Sequence, residues 1–428
     1  MTVAEKLEPL VATTIGADLP IRIDCWDGSS LGPPDAKLAV RFTTRRALRR
    51  LLWAPNELGF ARAYVSGDVE VDGDLLEAMS ILNESADPTK GPGVHIGTDT
   101  TLAIARAVVG LGALGLPPPR PTEEIKLGGS KHSRRRDARA ISYHYDVGND
   151  FYRIVLGPSL VYSCAYFTEE PSAAYGLDEA QHDKLDHVAR KLDLKPGMRV
   201  LDVGCGWGSF VIHAAREFGC HAVGVTLSHE QAELARERVL AEGLADLVEI
   251  RVQDYRDITD GPYDAISSIG MAEHVGYEKL PTYAADLYKL LAPGARLLNH
   301  AIARRPGPRD TKQDKTSFIE HYVFPDGELV PLSHMIDVLE TAGFEVRDVE
   351  SLREHYAKTL RAWVTNLESQ WDRAVGLTTP GRARVWRLYM AGSALAFQSN
   401  RIGVDQVLAV KTPPLGVSQM PPTRATFA

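Results

Sequence analysis

The sequence predicts a two-domain protein whose larger, C-terminal domain is a doubly wound α/β fold on a mostly parallel sheet. Three observations carry this expectation. Short apolar strands alternate with helical patterns from about residue 178 onward, a glycine cluster follows one of those strands directly, and 428 residues is about twice an ordinary domain.

The alternation reads as a helix over 178–194, a strand over 199–203, a helix over 228–242, strands over 248–252 and 265–269, a helix over 280–291 and a strand over 296–302. Each strand is short and rich in β-branched or aliphatic residues, and each intervening segment is long enough to cross back over a sheet. Before this lies a compositionally separate block, 1–116, with short apolar stretches at 21–23 and 38–42. Its end, 107–116, is an uncharged run of ten residues, too short to span a bilayer, and is expected to be a buried docking segment rather than an exposed patch. Pro117-Pro118-Pro119-Arg120-Pro121 then stiffens the chain. The expected division is an N-terminal, lipid-associated domain over 1–116, a linker over 117–140 and a catalytic domain over 141–428.

Composition excludes several functions. With 48 basic against 56 acidic residues the net charge is −8, which argues against nucleic acid as a partner. Cys25, Cys164, Cys205 and Cys220 are too sparse for a disulfide scaffold and too far apart for a paired metal motif, so reduced thiols and no metal are expected. The N-terminus lacks the basic-then-apolar layout of a secretory signal, and no run reaches the roughly 18 to 20 apolar residues of a spanning helix. A cytoplasmic protein peripheral to the inner face of the membrane is expected. Any basic contact surface must be local. The arginine-rich segment 45–53 reads either as the solvated face of a packed helix or as a surface for anionic lipid. Residues 120–140 hold seven basic residues against three acids, which reads as a solvated hinge or as a phosphate-contacting strip.

Strand 199–203 runs into Gly204-Cys205-Gly206-Trp207-Gly208. Glycines are needed there because the backbone must turn sharply and let a ligand lie against it. Two details favour S-adenosylmethionine over a dinucleotide: Asp202 stands just before the glycines, and Phe210 and Val211 occupy the sites where a third glycine could fall. After the second strand, Thr226 stands where a ribose-binding acid is common, followed by Leu227, while Ser228 and Gln231 have the spacing of a capping box. Gln253 and Asp254 follow the third strand, where an adenine edge would lie.

Tyr162-Ser163-Cys164-Ala165-Tyr166-Phe167, the run VLDVGCGWG at 200–208, Gly270-Met271-Ala272-Glu273-His274-Val275-Gly276, His300-Ala301-Ile302, Phe324-Pro325-Asp326-Gly327 and His355-Tyr356-Ala357-Lys358-Thr359-Leu360 resemble, in order, the motifs of the cyclopropane fatty acid synthases. The resemblance covers about residue 140 to the C-terminus. Residues 59–68 are similar, more loosely, to the extra domain of the synthases that act on phospholipids. The fold it implies is a class I S-adenosylmethionine methyltransferase, a Rossmann-like doubly wound sheet with a smaller N-terminal domain. It further implies that Tyr162 and Ser163 contact the methionine part, that Gly204 and Gly206, with Asp202 and Gly208 beside them, approach the cofactor, that Thr226, Leu227 and Gln231 serve the ribose, and that Gln253, Asp254 and Ile269 surround the adenine. A bicarbonate ion is implied too, held by Glu273, His300 and Tyr356 and by main chain around Cys164 and Ile302.

The chemistry so implied is transfer of one carbon to the cis double bond of a membrane phospholipid's acyl chain. An alkene is a poor nucleophile, so the sulfonium methyl must be aligned with it at near-attack distance. The carbocation left behind needs a shielded site and a base, and proton loss from the added methyl closes a cyclopropane. A different proton loss gives a methylene-branched chain, the precursor of a 10-methyl fatty acid. Asn299, Ala301 and Ala272 depart from residues more usual in the family and leave the product open. Cys164 has no activating base near it in sequence, so covalent catalysis is not expected. A methyltransferase of small molecules or proteins is disfavoured by Thr226, and a non-enzymatic membrane-binding protein by the intact glycines and the Glu273, His300, Tyr356 set. Oligomeric state, a homodimer included, is not fixed by the sequence.

Overall fold

The computed structural model describes residues 1–14, 20–84, 109–112, 115–125, 136, 147–307 and 316–427. The chain forms two compact units. The first gathers Met1–Lys126, Asp310–Pro325 and Trp371–Leu395, and the second Leu127–Arg309, Asp326–Gln370 and Ala396–Ala428.

In the first unit, β1 (Arg22–Asp24), β2 (Ser30–Leu31), β3 (Ala39–Phe42) and β4 (Val69–Asp72) form a sheet in the order β2-β1-β3-β4. Its charges are organised around two buried carboxylates. Asp68 accepts hydrogen bonds from Arg50, Arg46, Thr44 and Ser66. Burial opposes its ionisation, yet these bonds prevail and hold its pKa below the usual value. Glu124 receives both Nε and Nη2 of Arg62 at 2.7 Å. Of the arginines in segment 45–53, Arg50 is therefore a buried counter-ion, and Arg46 bends back to the same carboxylate although half its side chain stays exposed.

The run 107–116 is not the continuous buried segment that was expected. Among its described residues Leu111 is buried, whereas Val109 is 60% and Leu116 83% exposed. Its glycines interrupt any continuous apolar stripe, so one face cannot be covered as a unit. Trp53, 56% exposed, donates its indole N–H to the carbonyl of Gly115, the residue before the exposed Leu116.

The second unit holds the seven-stranded sheet that the alternating pattern predicts. Its strands are β5 (Arg199–Val203), β6 (His221–Thr226), β7 (Val248–Val252), β8 (Tyr263–Ile269), β9 (Leu291–Arg304), β10 (Glu345–Ser351) and β11 (Ile402–Val410), in the order β10-β11-β9-β8-β5-β6-β7. β9, β8, β5, β6 and β7 run parallel, and β11 is antiparallel to β9 and β10. Strand order reverses between β5 and β8, and ligands of such sheets bind at the carboxyl ends of the strands flanking that point.

Side chains alternate between the two faces of each strand, and two separate cores follow from this. One face carries Val200, Ala265, Leu298 and Leu408 beneath helices Leu177–Leu192 and Ser209–Phe218. The other carries Leu201, Ile266, Leu297 and Val407 beneath helices Leu280–Leu290 and Leu332–Thr341. Parity also assigns the other residues of interest on these strands. Asp202, Ser267, His300 and Gln406 share the first face, while Ser268, Asn299 and Ala301 share the second.

No helix among the described residues is long and apolar enough to cross a membrane.

Candidate functional site

The glycine loop forms because β5 ends where the chain must reverse into a helix. Gly204, Gly206 and Gly208 have φ of 84°, 54° and 79°, a region that side chains with a Cβ rarely adopt. The three are not equivalent. A Cβ on Gly206 would meet nothing closer than Gln231 Nε2 at 3.9 Å, so the space above it is open. One on Gly208 would meet Ala235 Cβ at 3.2 Å, because this glycine seats the helix against its neighbours. A cavity opens over the loop, lined by Tyr162, Ser163, Asp202, Gly204, Gly206, Thr226, Leu227, Gln231, Gln253, Asp254 and Ile269. Among the twelve residues expected around the cofactor, Gly208 alone lies outside that wall.

At the rim, Ser228 accepts from the Gln231 N–H at 3.2 Å, the capping contact read from the spacing. Gln231 turns its side-chain oxygen to the Thr226 hydroxyl at 2.9 Å. Asp254 caps the turn Tyr255–Asp257 and holds the Arg256 guanidinium. On the opposite wall the Tyr162 ring lies 5.3 Å from that of Trp363.

On the floor of the cavity the expected Asp202 is joined by Lys184, which the sequence did not single out. Lys184, fully buried, donates to the Ser163 hydroxyl at 3.0 Å and lies near enough to Asp202 for their charges to interact. Burial lowers the Lys184 pKa to about 8. Burial likewise raises Asp202 to about 6, against the opposing pull of the 2.5 Å hydrogen bond from Ser267 and the charge of Lys184. One acid and one base at the end of β5 match the ammonium and carboxylate of an amino-acid moiety. The signal was present in the pattern: Gln181, Lys184, Val188 and Lys191 recur at helical spacing on the stripe that faces the sheet.

The expected base-binding residues stand beyond this cavity, among the buried groups on β9 and the elements beside it. Lys191 donates to Gln406 Oε1 at 2.9 Å, and this fixes which end of the amide faces His300. The Gln406 Nε2–H therefore donates to His300 Nδ1, at 3.3 Å. A neutral imidazole that accepts at Nδ1 carries its proton on Nε2. Burial, with Lys184 and Lys191 nearby, drives the His300 pKa down to about 3 and keeps the ring neutral. Its Nε2 is buried and has no partner among the described residues.

Glu273, on the short helix Ala272–Val275 after β8, accepts the Ile302 N–H at Oε1 at 2.8 Å, while its Oε2 is buried with no partner among the described residues. Burial raises this carboxyl to about 7 despite that hydrogen bond. Tyr356 packs edge-on against Trp363, ring centroids 6.0 Å apart. The Cys164 thiol points at the Leu352 carbonyl, at 3.6 Å, near the first turn of the helix Arg353–Ser369 that carries Tyr356. Burial pushes the Cys164 thiol far up, which disfavours the thiolate that a nucleophile needs.

A donor at His300 and an acceptor at Glu273, both buried and both unsatisfied, suit a small oxyanion that also carries a hydroxyl, as bicarbonate does. Asn299 instead donates to the Tyr283 hydroxyl at 3.0 Å on the other face of β9, where Ala301 also packs. These two departures from the family pattern therefore face away from His300.

Comparison with known proteins agrees with the geometry. Residues 132–407 match the family model described as mycolic acid cyclopropane synthetase. A probable fatty acid methyltransferase of Mycobacterium tuberculosis is 42% identical, with 98% of this chain and 97% of the relative aligned. The cyclopropane-fatty-acyl-phospholipid synthase of Escherichia coli K12 is 38% identical over 67% of this chain and 72% of its own. The crystal structure of the mycolic acid cyclopropane synthase CmaA1 with SAH and CTAB covers 64% of this chain and 98% of its own, with 32% identity and a TM-score of 0.59. With a parallel sheet that reverses order beside a glycine loop, and with these relatives, the chain belongs to the mycolic acid cyclopropane synthetase family and is an S-adenosylmethionine-dependent methyltransferase.

Proposed function

We propose that this enzyme adds one carbon from S-adenosylmethionine across the double bond of an unsaturated acyl chain of a membrane phospholipid, forming a cyclopropane. The observation that carries this reading is that two buried groups, Glu273 Oε2 and His300 Nε2, have no hydrogen-bond partner among the described residues. A methyltransferase acting on nitrogen or oxygen has a lone pair to attack with and needs no separate base for a carbocation. An alkene does.

The cofactor, when bound, supplies an electrophilic methyl on its sulfonium. In this reading Lys184 and Asp202 would hold the charged ends of its methionine part and the glycine loop and Gln231 the nucleoside, so that the alkene π pair could take the methyl with the thioether as leaving group. Glu273, His300 and Tyr356 would hold bicarbonate, which would supply a weakly nucleophilic proton acceptor. Loss of a proton from the added methyl then closes the ring. Gln406 and Lys191 keep the His300 proton on the nitrogen that faces the anion, and Trp363 and Tyr162 help exclude water.

One observation favours a second reading. A relative aligned over nearly the whole chain is called a probable fatty acid methyltransferase, whereas the phospholipid synthase aligns over 67% of it. Under this reading a hydride shift precedes proton loss and the product is a methylene-branched chain. Expression of this chain in cells with monounsaturated lipids should add one CH2 unit per modified acyl chain by mass spectrometry. Mild hydrogenation then separates the products, since an exocyclic olefin takes up hydrogen readily and a ring does not. Unmodified lipids would sink both readings.

The substrate sits in a bilayer, so the enzyme must reach one. The exposed Trp53, Val109 and Leu116 suit an interfacial contact. In the basic strip, Arg136 places Nε and Nη2 on Asp326 at 2.6 and 2.8 Å and is an internal counter-ion, while residues 126–135 and 137–140 lie outside the described residues. A Trp53→Ser, Leu116→Ser double variant should bind anionic phospholipid vesicles several-fold more weakly, with turnover on detergent-dispersed lipid retained. Arg134→Ala with Arg135→Ala should reduce the salt-sensitive part of binding by about 1 kcal/mol per residue. Vesicle binding unchanged in both would remove these surfaces from the account.

A further inference from the structure

Helices Leu177–Leu192 and Ser209–Phe218 lie side by side on the first face of the sheet, and each presents two potential ligands four residues apart. These are His182 and Asp186 on the first helix and His213 and Glu217 on the second. Residues at that spacing share a helical face. One ring nitrogen of each histidine and one carboxylate oxygen of Glu217 all lie within 4.8 Å of one another. The two imidazoles meet nearly at right angles, with centroids 5.2 Å apart.

His213 is the informative member. It is 1% exposed, yet its Nδ1 has no hydrogen-bond partner among the described residues. Its Nε2 donates to Asp186 Oδ1 at 3.2 Å. An imidazole with one nitrogen bound to a carboxylate and the lone pair of the other left free is how metal-ligating histidines are oriented. Leaving such a nitrogen buried and unsatisfied is unfavourable, and a bound ion would remove that cost. The competing contacts are surface pairs among the described residues: Glu217 with Arg216 at 2.6 Å, Arg216 also with Glu242, Asp186 with Arg190 at 2.6 Å, and His182 3.9 Å from Asp183.

We infer that His182, His213 through Nδ1, and Glu217 bind one divalent transition-metal ion of the zinc class, with Asp186 as the carboxylate that orients His213. Two imidazoles, one carboxylate and a water make a tetrahedral set suited to zinc, whereas calcium and magnesium favour sites built from oxygen. None of the three residues lines the cofactor cavity. The ion joins the helix that carries Lys184 to the helix that leaves the glycine loop, so its effect falls on stability and on the rigidity of that corner rather than on bond-making.

The test uses the full, untagged chain after chelator treatment. Calorimetry with Zn²⁺ should show one saturable site, and Co²⁺ should give the intense visible bands of a tetrahedral complex. Thermal unfolding should shift upward with Zn²⁺. His182→Ala and Glu217→Gln, both at exposed positions, should weaken binding at least tenfold and abolish the thermal shift, with cofactor affinity unchanged. Asp186→Asn should weaken it by about 10- to 100-fold while leaving the three ligands in place. Absence of saturable uptake overturns the inference, and so does uptake that His182→Ala leaves unchanged.

Discussion

Glu273→Gln should lower turnover by about 10²- to 10⁴-fold, the usual worth of positioned general-base assistance, while S-adenosylmethionine binds almost as before. The expectation rests on geometry: Glu273 lies outside the cofactor cavity and its Oε2 is a buried acceptor with no partner among the described residues. A glutamine keeps the contact with the Ile302 N–H but replaces an ionisable carboxyl by an amide that cannot carry charge. Turnover of the parent should respond to bicarbonate depletion and repletion, and that of the variant should not. Stability moves the opposite way. Burial raises the folded-state pKa of Glu273 to about 7 from 4.5, so the folded protein favours the protonated form. The associated stability is fully present below the unfolded value and is lost as pH rises through the folded one. Relative to the parent, the variant should therefore gain thermal stability between about pH 5 and pH 8, with the largest gain at pH 8. Full turnover in the variant, or a parent indifferent to bicarbonate, would remove Glu273 from the base-binding site. Gln406→Leu, which releases the His300 proton to either nitrogen, should give a smaller loss of the same kind.

Gly206→Val should reduce S-adenosylmethionine affinity by two orders of magnitude or more in a chain that still folds. A valine Cβ at this position finds open space, the nearest atom being Gln231 Nε2 at 3.9 Å, so the added bulk enters the cavity rather than the core. The positive φ of 54° adds strain of about 1 to 2 kcal/mol, which a domain of this size tolerates. Gly224 is the contrasting position. A Cβ there would lie 2.9 Å from Cys205 Cβ and Sγ, so Gly224→Val should unfold the loop and lose stability together with binding. Calorimetry paired with thermal unfolding separates the two. Unchanged affinity in a folded Gly206→Val protein would mean that the cofactor lies elsewhere.

The amino-acid sequence by itself determined the parallel core of the catalytic unit. β5 and β7 fall at the predicted residues, and β8 begins two residues early, because continuous aliphatic runs between helices have few other ways to be buried. The glycine loop was legible for a related reason, since only glycine accepts the backbone that a strand-to-helix reversal needs there. Other features depended on sequence-distant partners. β10 and β11 carry acids and a glutamine among their apolar residues, and the sequence reading did not find them; they are recognisable once they pair with each other and with β9. Nothing local marks residues 310–325 and 371–395 as packing with the N-terminal unit.

The site divides in the same way. Candidate residues could be named from motifs, but which of them are unsatisfied could not. The tautomer of His300 follows from a chain of contacts running through Gln406 to Lys191, more than 100 residues away in both directions of sequence. Lys184 looked like one charge on an ordinary amphipathic helix until the sheet covered that face and left it beside Asp202 and Ser163. Sequence specifies which chemical groups exist and the local backbone that carries them. Burial, and the hydrogen bonds that burial leaves unmade, are set by long-range packing, and the protonation states and vacant valences of this site are consequences of burial.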